Sequence, residues 1–151
     1  MRTVLLAVHI AAGATGLLLG PAIMLAPKRP GWHPRLGLVY QALVALLCLT
    51  SIGLVAFKPW LWWLAVIGVA TWAVALAGWW MRRRRPAGWL PMHISLMCGS
   101  YISFVTAFLV VNLGLDSPVA WVLPTVVGSP LIALAVVRAT GRWRPRRAPA
   151  A

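Results

Sequence analysis

The chain has 151 residues, of which 62% are hydrophobic and only 10% are charged, and it contains 14 Lys and Arg residues but a single acidic residue, Asp116. A soluble domain has roughly 25% charged residues of both signs, so this composition excludes an ordinary soluble domain. A net charge of +13 also occurs in proteins that bind nucleic acid. Apolar runs of about 20 residues, however, have the length of transmembrane helices and argue against a nucleic-acid partner. We therefore expect an integral membrane protein.

Five apolar segments follow one another along the chain, and each is long enough to cross a bilayer. Backbone groups in lipid must be hydrogen-bonded within their own segment, so each span is predicted to be helical. The expected fold class is an all-α integral membrane bundle of five helices, a four-helix core with a less regular fifth. The transmembrane domain covers residues 1–138, and a basic tail that we expect to be disordered covers 139–151. The spans are residues 3–26, 36–57, 60–81, 89–113 and 119–137.

The distribution of Lys and Arg predicts the orientation of the chain. Of the 14 basic residues, only Arg2 and Lys58 lie on the same side of the membrane as Asp116, which leaves twelve for the other side. Because basic residues concentrate in cytoplasmic loops, we expect the N-terminus outside and the C-terminus in the cytoplasm, in a bacterial inner membrane. The basic residues are then expected to contact anionic lipid headgroups.

The spans contain few groups for chemistry. No Asp or Glu lies within any predicted span, which excludes catalytic carboxylate pairs and diiron carboxylate sites. No Ser-His-Asp set can form around an intramembrane acid, and no phosphate-binding glycine-rich loop is present. These features favour a role other than an enzyme. Three histidines, two tyrosines, some hydroxyl groups and Asn112 are left for chemistry.

Two of the histidines begin stripes of polar residues on different spans. Both histidines are expected near the inner leaflet surface and at a similar depth, given a rise of about 1.5 Å per residue. We expect the two spans to run in opposite directions and their stripes to form one inner-leaflet polar site. Residues spaced by three, four and seven positions share one face of a helix. The face of the second span carries His33, Gly37, Tyr40, Gln41 and Val44. The face of the fourth span carries His93, Met97, Ser100, Tyr101 and Phe104.

The third histidine, His9, lies near the outer end of the first span. Helical rise separates it from His93 by about 20 Å along the membrane normal, which excludes a shared metal. We expect His9 to have a structural role and to hydrogen-bond Thr106 or Asn112, which lie at its level on the fourth span. A seam of small residues, typical of close helix packing, follows on its face: Gly13, Gly16 and Gly20.

Three segments of this chain resemble a family of small, functionally uncharacterised bacterial polytopic membrane proteins. "HPRLGLVYQ" is similar to that family's H-x3-G-x2-Y signature, and "MHISLMCGSYISFVTAFLVVN" to its H-x3-M-x2-S-Y segment with a trailing T-A-F. "HIAAGATGLLLGP" resembles its first helix. The resemblance covers roughly residues 1–114 and implies an architecture but no activity. The family usually has a basic residue directly after the first histidine, where this chain has Pro34 followed by Arg35. The matching positions are His33, Gly37, Tyr40, His93, Met97, Ser100, Tyr101 and Thr106.

One hypothesis for the inner-leaflet site is a metal cofactor. Imidazoles on two facing helices commonly bind haem, so His33 and His93 are predicted to ligate the iron of one haem b, or another metal. Met97 or Tyr101 is expected to act as an alternative ligand or to support the ligands. Three histidines exclude a two-haem cytochrome that needs four.

A neighbouring hypothesis replaces the metal by a quinone or lipid headgroup. His33, His93, Tyr40 and Tyr101 would hydrogen-bond it, and Arg35 would attract its negative charge. Both hypotheses imply a redox-linked role such as electron transfer. The alternative is that the polar residues only hold helices together, each hydrogen bond contributing about 0.6 kcal/mol. The protein would then be a non-catalytic accessory or assembly subunit, with a membrane-protein partner or a second copy of itself, or a permease component.

Overall fold

The computed structural model of the protein describes residues 1–28 and 31–142. Each of the five long helices in these residues is long and apolar enough to cross a membrane. The predicted all-α fold with five helices is therefore confirmed. The helices are α1 (Arg2–Leu25), α2 (Trp32–Val55), α3 (Trp62–Arg84), α4 (Trp89–Leu113) and α5 (Pro118–Arg142), and a short 3₁₀ turn, Pro59–Leu61, precedes α3.

Two helix boundaries differ from those predicted by four residues or more, and the other helix ends agree to within three residues. Helix α2 begins at Trp32, four residues before the expected start at 36, so His33 belongs to its first turn. Pro34 is compatible with this position because the first N–H groups of a helix have no partner within it. Helix α5 continues through Arg142, so it includes the beginning of the predicted tail. The rest of that tail, 143–151, lies outside the described residues.

The first four helices form a ring. Each helix packs against the next one in the chain, and α1 also contacts α4, which closes the ring. Among the described residues, α5 packs only on α4, on the outside of the ring. Consecutive helices run in opposite directions, so α1, α3 and α5 end where α2 and α4 begin. We call this the basic end of the bundle, since it carries Lys28, Arg35 and Arg82 to Arg85.

Small residues set the distance between α1 and α4. A methyl group added at Gly16 would lie 2.6 Å from the ring of Phe104, and one added at Gly20 would overlap the ring of Tyr101. Both glycines are buried. Because glycine has no side chain, two aromatic rings of α4 lie directly on the backbone of α1. The predicted small-residue packing on this face of α1 is confirmed at these two positions.

Large apolar side chains cover the outside of the bundle. Leu18 of α1 is 78% exposed and Val111 of α4 is 63% exposed. Such a surface would be unfavourable in water, where burial of apolar area is the main driving force of folding, and it suits the hydrocarbon of a bilayer. The buried positions of the ring include the polar residues Tyr40, Gln41 and Ser100 beside apolar ones such as Val44 and Val110.

Candidate functional site

The two inner histidines meet. His33, in the first turn of α2, and His93, in the second turn of α4, have ring centroids 6.4 Å apart and ring planes at 80°. Helices α2 and α4 occupy opposite corners of the ring and approach each other only through side chains. The pair therefore lies in the interior of the bundle, near its basic end.

The expected direction of these helices was wrong. Tyr40 on α2 hydrogen-bonds Ser100 on α4. These two residues are 60 positions apart in the sequence, as are His33 and His93. Because the sequence separation between contacting residues stays constant along the two helices, α2 and α4 run parallel. Two helices separated by one antiparallel helix must point the same way, so both begin at the basic end. This is why two histidines near helix starts lie at the same level.

Backbone hydrogen bonding determines which nitrogen of His93 is available to a ligand. Its Nδ1 lies 2.8 Å from the carbonyl oxygen of Gly78 on α3. A carbonyl only accepts, so Nδ1 carries the proton and Nε2 of the neutral ring presents a lone pair. A histidine that ligates a metal typically donates its other N–H to such a group. The Nδ1 of His33 is buried without a hydrogen-bond partner.

A second polar layer lies deeper in the ring. The Tyr40 hydroxyl is 3.3 Å from the Ser100 hydroxyl. Gln41 donates from Nε2 to the carbonyl oxygen of Ala75 at 2.6 Å and lies 4.0 Å from the Met97 sulfur. The Oε1 atom of Gln41 is buried without a partner. Apart from that oxygen, the polar groups of this layer are used to join α2 to α3 and α4.

Two of the predicted site residues are not brought to the histidines. The Tyr101 hydroxyl donates to the carbonyl oxygen of Leu17 at 2.8 Å, and its ring packs on Gly20 of α1. Tyr101 follows Ser100 directly, so a turn of about 100° along the helix directs it to another neighbour. Arg35 is exposed. The observed contacts of Tyr101 are thus with α1, and the assignment of Tyr101 and Arg35 to the site stays a prediction.

Two other cationic residues lie near the histidines and were missed as site residues. The positive charges of Lys28 and Arg82 act on both imidazoles. Neither residue belongs to a histidine stripe, because Lys28 follows the end of α1 and Arg82 lies near the end of α3. The sequence signalled them only as orientation markers, and the folding of the ring is needed to bring them to the pair.

Lys28 is held at the end of α1. Its ammonium donates to the carbonyl oxygens of Ile23 and Met24 at 2.7 Å each and of Ala26 at 3.0 Å. Partial desolvation lowers the pKa of Lys28, and the nearby Cys98 thiol partly opposes that shift. A partly desolvated cation without a carboxylate partner is stabilised by an anionic ligand, and the only acidic side chain, Asp116, lies in the α4–α5 connection at the other end.

The expected partners of His9 were wrong. Its Nδ1 lies 2.8 Å from the Thr50 hydroxyl of α2. The two residues that we expected to bind it are bonded within their own helix, Thr106 to the carbonyl of Ile102 and Asn112 to that of Phe108. The reason is the packing order, since α1 packs along α2 and contacts α4 at the glycine seam.

Replacing His9 by leucine and Thr50 by valine, singly and together, is expected to give a coupling free energy of about 0.6 kcal/mol, with an upper limit near 1.7 kcal/mol. We expect this coupling because His9 and Thr50 share one interhelical hydrogen bond, and the His9 ring has no other hydrogen-bond partner among the described residues. Reversible unfolding in detergent measures it. The matched cycle of His9→Leu with Thr106→Val is expected to give no coupling, and equal coupling in both cycles would contradict the assignment.

Comparison with protein-family models, with curated proteins and with solved structures finds no match for this chain. The resemblance of its histidine segments to a membrane-protein family therefore stays a prediction.

Proposed function

We propose that this membrane protein binds the iron of a single haem between His33 and His93 and has a redox-linked role such as electron transfer. The observation that carries the proposal is the separation of the two rings. A metal bonded to an imidazole at about 2.0–2.1 Å lies roughly 3 Å from the centroid of that ring. Ligands on opposite sides of one metal then have centroids roughly 6 Å apart, and the separation here is 6.4 Å.

The number of ligands favours haem over a bare metal ion. No group of three His, Cys, Asp or Glu side chains that could hold a metal occurs in the described part of the chain. A closed protein site for zinc uses four such ligands. Haem supplies the equatorial nitrogens itself and takes only axial ligands from the protein. His33 and His93 would be the two protein ligands of the haem, which would supply one-electron redox chemistry when bound.

Charge and space at the site also suit a haem. Its propionate groups are anionic, and the cations Lys28 and Arg82 act on the histidine pair. One turn after His33 on the same face, a methyl group added at Gly37 would meet no atom within 4 Å. Glycine at this position therefore places no side chain beside His33. His33, His93 and Gly37 would thus form the walls, with Lys28 and Arg82 at the mouth.

The location of the site follows from the basic residues. The histidine pair lies near the basic end, and the excess of Lys and Arg there favours a cytoplasmic position for this end. The proposed haem would therefore lie in the inner leaflet of a bacterial cytoplasmic membrane, with both its charged edge and its electron donor or acceptor on the cytoplasmic side.

The quinone version has less support. It requires Tyr40, Tyr101 and Arg35 around the imidazoles, but both tyrosine hydroxyls are used in interhelical hydrogen bonds and Arg35 is exposed. The same bonds favour a second candidate function for the protein, a non-catalytic accessory or assembly subunit. In that case His33 and His93 would be two further residues that join helices.

The test is the visible absorption spectrum of the full chain purified in mild detergent without added cofactor. We expect a Soret band, a reduced spectrum typical of iron with two imidazole ligands, and about one haem for each chain. A folded, colourless preparation that also fails to bind added haem would overturn the proposal. Extraction of a bound quinone would favour the quinone version, and crosslinking to a stoichiometric membrane partner would favour the accessory subunit.

A further inference from the structure

A cavity of about 410 Å³ opens at the basic end, beside the haem site proposed above. Its lining residue Trp89 lies against His93, with ring centroids 6.4 Å apart. It lies between the α3–α4 connection and the last turns of α5. Arg85, Trp89 and Thr140 provide its polar lining, and Leu90 and Pro91 are among its apolar walls. A site that combines a guanidinium with apolar walls at the membrane surface is suited to an amphipathic anion.

The arginines near this cavity are stacked on tryptophan rings. Such stacking is favourable by about 0.5–1 kcal/mol at exposed sites. It holds each guanidinium group over the face of a tryptophan ring. The distances from guanidinium carbon to ring centroid are 5.8 Å for Arg82 and 5.5 Å for Arg85 over Trp89, 5.1 Å for Arg83 over Trp79, and 4.6 Å for Arg84 over Trp80.

No acidic side chain of the protein lies near these groups. Asp116 is the only acidic side chain in the sequence, and it lies in the α4–α5 connection at the opposite end of the bundle. An anion from outside the chain would balance the charge of these four consecutive arginines. At a membrane surface the abundant anions are lipid phosphates.

Arg85 has an unusual backbone conformation. It follows α3 with φ of 49° and ψ of 48°, the left-handed region that is unfavourable for residues with a Cβ and common for glycine at this position. Gly88, three residues later, also has a positive φ of 73°. A long cationic side chain thus occupies a position where glycine would be easier to accommodate, and that side chain lines the cavity.

Thr140 narrows the class of ligand. Its hydroxyl donates to the carbonyl oxygens of Val136 at 2.9 Å and Val137 at 3.3 Å. The proton is therefore engaged, and the oxygen is left as an acceptor. We propose that the cavity binds the headgroup of an anionic phospholipid whose headgroup bears a hydroxyl, as in phosphatidylglycerol. Arg85 binds the phosphate, and Thr140 accepts a hydrogen bond from the headgroup hydroxyl.

Arg85→Gly tests the proposal without loss of the fold, because glycine suits the left-handed conformation. The full chain is reconstituted in nanodiscs of phosphatidylcholine with a minority of phosphatidylglycerol, and retained lipid is counted by native mass spectrometry. We expect phosphatidylglycerol retention to fall by about 10-fold, the effect of one charge-assisted hydrogen bond. The unfolding temperature should be unchanged or higher.

Charge-preserving variants distinguish a specific lipid site from general attraction of anionic lipids to a basic surface. Arg85→Lys keeps the charge but loses the planar donor pair of the guanidinium, so it should lose most of the retention, whereas Arg84→Lys outside the cavity should keep it. If the two variants lowered lipid retention equally, retention would depend on general surface charge and not on the cavity, and the proposal would be overturned. Displacement of the lipid by inorganic phosphate would show a site for free phosphate and also overturn it. Neither result depends on haem binding.

Discussion

Replacing either His33 or His93 by alanine is expected to abolish haem binding by the purified protein. Each imidazole would be one of the two protein ligands, and the only other histidine in the sequence, His9, is hydrogen-bonded to Thr50. Loss of a residue that merely supports a ligand typically costs 10–100-fold in metal affinity, so loss of a ligand should cost at least about 100-fold. Haem titration followed at the Soret band measures the affinity.

Two controls belong to this experiment. His9→Ala removes the remaining histidine, which hydrogen-bonds Thr50 and lies far from the pair, and it should leave the spectrum unchanged. The unfolding midpoint of His93→Ala should fall only slightly, because its bond to the Gly78 carbonyl contributes about 0.6 kcal/mol. An unaltered Soret band in both His33→Ala and His93→Ala would place the chromophore elsewhere and end the proposal.

Gly78→Ala offers no useful substitute for these variants. A methyl group there would lie 2.9 Å from the Met97 sulfur, so it would move α3 and α4 apart as well as alter the carbonyl that orients His93. The effect on haem would then be inseparable from the effect on packing. The histidine variants add no atoms to the packed interior, and the unfolding midpoint shows how far each one alters the fold.

Gly20→Ala is expected to lower the free energy of unfolding by about 1–3 kcal/mol, the usual cost of adding a methyl group to a packed interior. The added methyl would overlap the Tyr101 ring. That ring has little freedom to move away, because its hydroxyl is bonded to the Leu17 carbonyl at 2.8 Å. Reversible unfolding of the purified protein in detergent or bicelles measures the change.

Gly99→Ala is the matched control for Gly20→Ala. It makes the same substitution inside a helix, but the added methyl would meet no atom within 4 Å. Alanine is a better helix former than glycine by about 1 kcal/mol, so this variant should be as stable as the parent protein or more stable. If Gly20→Ala and Gly99→Ala had the same stability, the close contact of α1 with α4 would be wrong.

The packing of α1 on α4 at Gly16 and Gly20 also affects the proposed haem site. Gly16 and Gly20 hold α1 against α4, which closes the ring and brings Lys28, at the end of α1, near the histidine pair. We infer that a variant which separates α1 from α4 would weaken binding of an anionic ligand even though it changes no ligand residue. Measuring stability and haem affinity on the same Gly20→Ala sample relates the two effects.

Several features were determined by the sequence alone. The number of helices follows from the length of the apolar runs, because an unpaired backbone in lipid is so costly that any such run becomes a helix. The level of His33 and His93 follows from their distance to helix starts at the basic end, since the rise per residue is constant. The small-residue seam on α1 could be predicted because only residues without large side chains allow backbones to approach closely. These properties depend on one segment at a time.

Other features were decided only by the tertiary structure. Which helices face each other depends on how all of them pack, and α2 and α4 prove to be parallel partners across the ring rather than antiparallel neighbours. That arrangement pairs His9 with Thr50 and directs Tyr101 to α1. It also brings Lys28 and Arg82 from separate helix ends to the histidines. Helical periodicity determines which residues share a face, but the partner of that face is set by side-chain packing between helices, which no single segment encodes.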